Sequence, residues 1–235
     1  MFLEEIIEYI IHGKEETYLE YKASIKWFKK PRKNKDKVAN AKIIRTILAM
    51  ANNQNGGVIV IGGKEKRNGE ITPLGISKTN SDSFKYDDMS RYIRTICSPQ
   101  VQFKITRDTL NVNGTIRRFV VIQVTESQEF PVVSTKLIRY NDAEAAYPDN
   151  VLLRQNAIYI RSKSPIESRE ISTMQEWQEL IYRTMDKSKR ELLKRMPCSE
   201  YIQEQQRKPL EIKVKDNIKI EEQTKFEGQL KKDRL

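Results

Sequence analysis

Apolar residues recur along this chain with two different periods, and the switches between them mark out its elements. Over residues 1–11, Phe2, Leu3, Ile6, Ile7, Ile10 and Ile11 fall at helical spacing and close at Gly13, which predicts a short N-terminal helix. Residues 17–23 alternate instead, as a strand with Tyr18, Glu20 and Lys22 on one face and Leu19, Tyr21 and Ala23 on the other. The helical period returns over 38–53 through Ile43, Ile44, Ile47, Leu48, Met50 and Ala51. It stops at the turn-rich run Asn52-Asn53-Gln54-Asn55-Gly56-Gly57. Val58-Ile59-Val60-Ile61-Gly62-Gly63 is apolar without alternation, the pattern of a strand covered on both faces. Lys64 and Glu65 then leave it as a turn.

Further on, Met89, Tyr92, Ile93 and Ile96 predict a helix over 86–97. Residues 101–106 and 117–124 read as strands joined by the Asn111-Val112-Asn113-Gly114 turn, with Phe119-Val120-Val121-Ile122 a central strand. Residues 131–140 continue in extended form, and 141–150 read as a surface loop whose Asp142 and Glu144 are solvated charges. Met174, Trp177, Leu180, Ile181, Met185, Leu192 and Leu193 predict a long helix over 168–195, stopped by Pro197. The last 38 residues are rich in charge and poor in apolar side chains, as in a disordered tail, a hairpin around Asp216-Asn217 or a partner-docking segment. The expected fold class is α+β: a mixed β-sheet with flanking helices over 14–171, an N-terminal helix over 1–13, a C-terminal helix over 172–197 and a charged tail over 198–235.

Composition narrows the function. Lysine and arginine number 43 against 32 acids, a net charge of +11, with an isoelectric point near 9.5. A field of that sign attracts polyanions, nucleic acid first among them. Lys26, Lys29, Lys30, Arg32, Lys33, Lys35 and Lys37 crowd one stretch against the single acid Asp36, with Trp27 and Phe28 between them. Such a loop suits a phosphate backbone and an unpaired base stacked on Trp27; the alternative is a solvated loop whose aromatics pack on the core. Two distant cysteines, Cys97 and Cys198, imply reduced thiols, and a single histidine, His12, excludes the usual Cys/His zinc site and any histidine-based triad. Gly62-Gly63-Lys64 lacks the spacing of a phosphate-binding loop, which excludes ATP hydrolysis of that kind. No stretch has the length of a membrane span, so a soluble cytoplasmic protein is expected.

The stretch from Glu15 to Lys22 sets two acids and a lysine in the order that metal-dependent nucleases use. Glu20 and Lys22 point the same way from a strand. A carboxylate there suits Mg²⁺ or Mn²⁺, and the ammonium suits a scissile phosphate. An exposed strand with an i, i+2 charge pair has the same pattern. Glu15 at the strand entrance and Glu65 beyond the apolar strand are the second and third candidate ligands.

Glu15 to Lys22, then Ala49-Met50-Ala51-Asn52, Gly56-Gly57 and the strand ending at Gly62, resemble the Schlafen-type AlbA_2 domain. Gly69 to Gly75, Ser98-Pro99 and Ala157-Ile158-Tyr159-Ile160-Arg161-Ser162 agree with its later elements, over roughly 15–171. The resemblance implies three acids holding a divalent cation that cuts structured RNA, particularly tRNA. By motif these are Glu15, Glu20 and Glu65, with Lys22 beside the phosphate and Arg161 joining the nucleic-acid-binding set. Glu65 stands where the family more often has aspartate, and Lys64 puts a cation beside it. The resemblance also implies two such lobes around a basic groove, so a homodimer or a related subunit is expected. The readings are a metal-dependent endoribonuclease serving bacterial defence, a non-catalytic RNA- or DNA-binding module or regulator, and a scaffold that recruits a protein through its tail.

Overall fold

The computed structural model describes residues 15–66, 68–128, 130–139 and 151–195. The predicted helix over 1–13, the loop over 141–150 and the tail over 198–235 lie outside them, with His12 and Cys198. Contacts divide the chain into two compact units, residues 1–184 and 185–235. Of the second, the described part is the end of the last helix, where Arg190 pairs with Asp186 at 2.8 Å.

The first unit is built on a four-stranded sheet. Strand β1 (Leu19–Lys22) lies parallel to β2 (Gly57–Ile61), and β2 lies antiparallel to β7 (Thr115–Val124), which pairs in turn with β6 (Phe103–Val112). The apolar run of β2 is therefore central, and all five of its residues are buried. The crossover from β1 to β2 is helix α1 (Asn34–Ala51), of which Ile43, Ile44, Ile47, Leu48 and Met50 have no measurable exposure. This helix is covered on more than one side. It lies against the sheet and also against strands β10 (Val151–Leu153), β11 (Tyr159–Lys163) and β12 (Ile166–Glu170).

The double glycine after α1 has a steric cause. Gly56 has φ +75°, and a β-carbon there would sit 2.1 Å from the Val124 carbonyl oxygen; one on Gly57 would sit 2.0 Å from Met50 Sδ. Only glycine lets β2 come this close to helix and neighbour strand. The β6–β7 turn is Asn113-Gly114, both at positive φ, 51° and 78°, as a two-residue hairpin of matching twist demands.

Several predicted elements differ in extent. α1 begins at Asn34, so the last part of the basic stretch is its first turn rather than loop. Lys64 and Glu65 do not leave as a turn: Gly63–Glu65 forms β3, paired with β4 (Ile71–Pro73) in a small ribbon. Helix α2 (Lys78–Ser83) was not expected; α3 (Tyr86–Arg94) ends before Ile96, and Cys97–Ser98 is strand β5, paired with β8 (Val133–Ser134). Strand β9 (Ile138–Arg139) pairs with β10.

The largest correction concerns the long helix, expected from residue 168. Residues Ile166–Glu170 instead complete the β11–β12 hairpin, and α4 runs Met174–Arg195. Its start is a reciprocal cap. Glu176 N–H donates to Thr173 Oγ1 at 3.2 Å, while Glu176 Oε2 accepts from the N–H groups of Ser172 and Thr173, each at 3.1 Å. Burial pushes the Glu176 carboxyl up, but those two N–H donors and Arg169 outweigh it and hold it at about 2.

Candidate nucleic-acid site

Strand β1 sorts its side chains as its alternation predicts. Leu19 and Tyr21 pack with Val58, Val60, Phe119 and Val121 in an apolar cluster on one face of the sheet. Glu20 and Lys22 emerge on the other, towards α1 and the β11–β12 hairpin. Glu20 is only 4% exposed. A carboxylate buried so deeply has to be neutralised and hydrogen-bonded, and four donors do this. Arg161 Nη1 and Ser168 Oγ (2.9 Å) reach one oxygen; Lys22 Nζ and Thr46 Oγ1 (3.1 Å) reach the other. Arg161 is itself fixed through Nη2 to the Glu16 carbonyl at 3.0 Å and the Leu19 carbonyl at 3.4 Å.

Around this pair opens a cavity of about 360 Å³, whose walls include Glu15, Glu20, Lys22, Lys42, Arg45, Glu65, Arg161 and Glu167. Glu15 accepts a hydrogen bond from Tyr21 N–H at 3.1 Å. Burial raises its pKa and the charge of Glu65 adds to the rise, against Tyr21 N–H, Arg161 and Lys22. Burial lowers Lys22 to about 8; Arg161, Lys42 and Arg45 push the same way and Glu15 opposes them. Lys22 therefore carries its charge at neutral pH and loses it as pH rises through about 8. In an NMR titration of isotopically labelled lysines, one resonance is expected to shift near pH 8 and to vanish in Lys22→Arg. A titration with no lysine moving there would refute this.

Lys42 and Arg45 of α1 add cationic wall to the same cavity. Among the described residues Arg45 Nε and Arg161 Nε, like Trp27 Nε1 and Arg117 Nε elsewhere, are fully buried with no hydrogen-bond partner. A cavity walled by this many cations suits an anion.

The predicted carboxylates are brought together, but as walls of a cavity rather than as a ligand set. Among the described residues no three acid, cysteine or histidine side chains converge as a metal site. Glu20 already spends both oxygens on protein donors, and Glu65 stands exposed on β3. Glu20 is therefore not free to complete a three-acid set with Glu15 and Glu65.

Two residues of the predicted nucleic-acid set are corrected. Trp27 is 2% exposed, edge-on to Tyr92 with ring centroids 5.6 Å apart, so its ring packs in the core and offers no face to a base. The Arg161 side chain is 1% exposed and holds Glu20, not a backbone phosphate at the surface. Of the others, Lys26 lies over the Phe28 ring and Lys29 pairs with Asp88 at 2.8 Å. Lys30, Arg32, Lys33 and Lys35 are exposed, and Lys37 is half-buried. The loop itself is tied down: Phe28 N–H donates to Asn40 Oδ1 at 3.0 Å, and Asn40 Nδ2 donates to the Phe28 carbonyl at 2.8 Å.

Sequence reasoning missed Lys42, Arg45, Thr46 and Ser168. A signal for the first two was present: Lys35, Lys42 and Arg45, at i, i+7 and i+10, share one face of α1. Thr46 joins that face and reaches Glu20.

The first strand of this mixed sheet thus presents glutamate and lysine to a basic helix face. The family described as Schlafen, AlbA_2 matches residues 15–168, and the chain belongs to it. That membership ties the chain to nucleic-acid-related function. Among solved structures, the DIP2311 protein from Corynebacterium diphtheriae is similar at 17% identity and a TM-score of 0.41, over 75% of this chain and 30% of that one. This chain thus spans under a third of the length of that protein. No curated protein matches. No helix among the described residues is long and apolar enough to cross a membrane.

Proposed function

We propose that this chain binds nucleic acid, RNA in the first place, by leading a backbone along Lys35, Lys42 and Arg45 on α1 into the cavity beside Glu20 and Lys22. The supporting observation is the cationic side chains Lys22, Lys42 and Arg45 in the walls of one cavity. A phosphate there gains charge-assisted contacts from these cations. Lys30, Arg32 and Lys33 extend the basic surface towards the N-terminus of α1.

The test is fluorescence anisotropy with labelled tRNA over a salt series. The wild type should bind with an affinity that falls steeply with salt. Lys35→Ala combined with Lys42→Ala should weaken binding about tenfold and flatten the log–log salt slope by roughly 1–2, as expected for two lost phosphate contacts. Absence of salt-dependent binding by the wild type overturns the reading.

A second reading, divalent-metal-dependent cleavage of tRNA or similar structured RNA, is favoured by one observation. Glu15 and Glu65 wall one cavity, and the charge of Glu65 adds to the rise of the Glu15 carboxyl, a repulsion that a cation would relieve. Incubating tRNA with the protein in Mn²⁺, in Mg²⁺ and in EDTA decides it, with Glu15→Gln and Glu65→Gln as variants. Cleavage that needs the metal and both carboxylates supports it; intact tRNA in both metals removes it and leaves binding.

A further inference from the structure

Arg161 belongs to the wall of two cavities. Beyond the one described, a groove of about 740 Å³ opens between the start of β1, the turn after α1, the β11–β12 hairpin and the first turns of α4. We infer that this larger groove is a subsite for one unstacked nucleotide, next to the phosphate docked beside Glu20. The inference rests on that docking.

Adjacency comes first. Tyr18, in the tight turn closed between Glu16 and Leu19, lines the groove; Glu20, two residues on in β1, lines the smaller cavity, and Arg161 borders both.

The lining has the chemistry such a nucleotide needs. The Tyr18 side chain is 44% exposed and offers a ring for stacking. Gln54 and Asn55 are exposed at the turn after α1, and each amide carries both a donor and an acceptor for the edge of a base. Val58, Val124 and Ile160 add apolar wall. The two acids of the groove already face cations: Glu176 is paired with Arg169 and Glu179 with Lys163 at 3.4 Å. Arg183 is then the excess charge, of the right sign for a phosphate. The volume lies within the range of small-ligand sites, ~300–1,000 Å³.

The test is anisotropy with a labelled single-stranded hexaribonucleotide and with a blunt RNA duplex, on wild type, Tyr18→Ala, Gln54→Ala and Lys42→Ala. Both RNAs should bind the wild type, and Lys42→Ala should weaken both. Tyr18→Ala should weaken the single strand about tenfold, the loss of one base stack, and the duplex less than twofold. Gln54→Ala should weaken the single strand several-fold, to a degree that depends on the base. If Tyr18→Ala and Gln54→Ala leave the hexanucleotide within twofold of wild type while Lys42→Ala still weakens it, the subsite is overturned and the phosphate-docking reading stands. Equal losses for both RNAs in Tyr18→Ala also overturn it, and point to a groove that takes another ligand, such as a peptide. If neither RNA binds the wild type, both readings fail.

Discussion

Arg161→Ala should destabilise the fold by about 3–5 kcal/mol, because it leaves the Glu20 carboxylate buried without its main counter-charge. The magnitude follows from burial: the two side chains are 1% and 5% exposed, and Arg161 Nη1 lies directly on Glu20 Oε2. The variant also removes the second hydrogen bond that Arg161 Nη2 gives to the Glu16 and Leu19 carbonyls, each of which keeps a backbone N–H donor. Urea unfolding with a common slope measures the loss. Arg161→Met combined with Glu20→Met, which removes both charges and keeps apolar volume, should recover a large part of it. A single-variant loss below about 1 kcal/mol, within the range of exposed ion pairs, would show that the pair is not buried as described.

The second large effect is expected at Asn52, the residue that follows α1. It is 5% exposed, and its side chain joins three parts of the fold. Nδ2 donates to the Val132 and Tyr159 carbonyls, each at 2.9 Å, and Oδ1 accepts from Val132 N–H at 2.6 Å. Asn52→Ala strands one buried donor and two buried acceptors, at about 1–3 kcal/mol for each group left unmet, and a total of roughly 3–4 kcal/mol is expected after relaxation. Asn52→Asp is the sharper probe. It keeps an acceptor for Val132 but turns a carboxylate towards two carbonyls, so it should cost at least as much as alanine. A melting temperature in Asn52→Asp close to wild type would contradict these bonds.

These two residues also show what the sequence could carry. The elements with strong periods were legible: the apolar run of β2, the stripe of α1, and the β6–β7 hairpin with its Asn-Gly turn. All three depend on neighbours close in the chain. Asn52 was visible as the end of a motif, but its partners lie about 80 and 107 residues away, and no local pattern announces them. Arg161 was placed among surface cations for the same reason: its partner is 141 residues upstream. Trp27 stood among seven basic residues, and composition does not reveal that one ring in such a run turns inward onto Tyr92. The late start of α4 was a different kind of miss. Thr173-x-x-Glu176 is a helix-start signal written in the chain, and Met174 and Trp177 follow it. The apolar stripe set the expected length while the cap went unused. In the candidate site, Glu15, Glu20, Lys22 and Glu65 were found by motif, and the structure gathers all four around one cavity. What was not legible is that Glu20 spends both oxygens on Arg161, Ser168, Lys22 and Thr46, two of which lie more than 140 residues away.

The distance between Glu20 and Arg161 along the chain also orders events in time. During synthesis, β1, α1 and β2 are complete long before β11 leaves the ribosome, and contacts this remote in sequence close late. Until they do, Glu20 has only Lys22 and Thr46 to pair with, and the cavity lacks the wall made by Arg161, Glu167 and Ser168. The cavity beside Glu20, walled by β1, α1 and β12, is thus complete only after most of the sheet has been made.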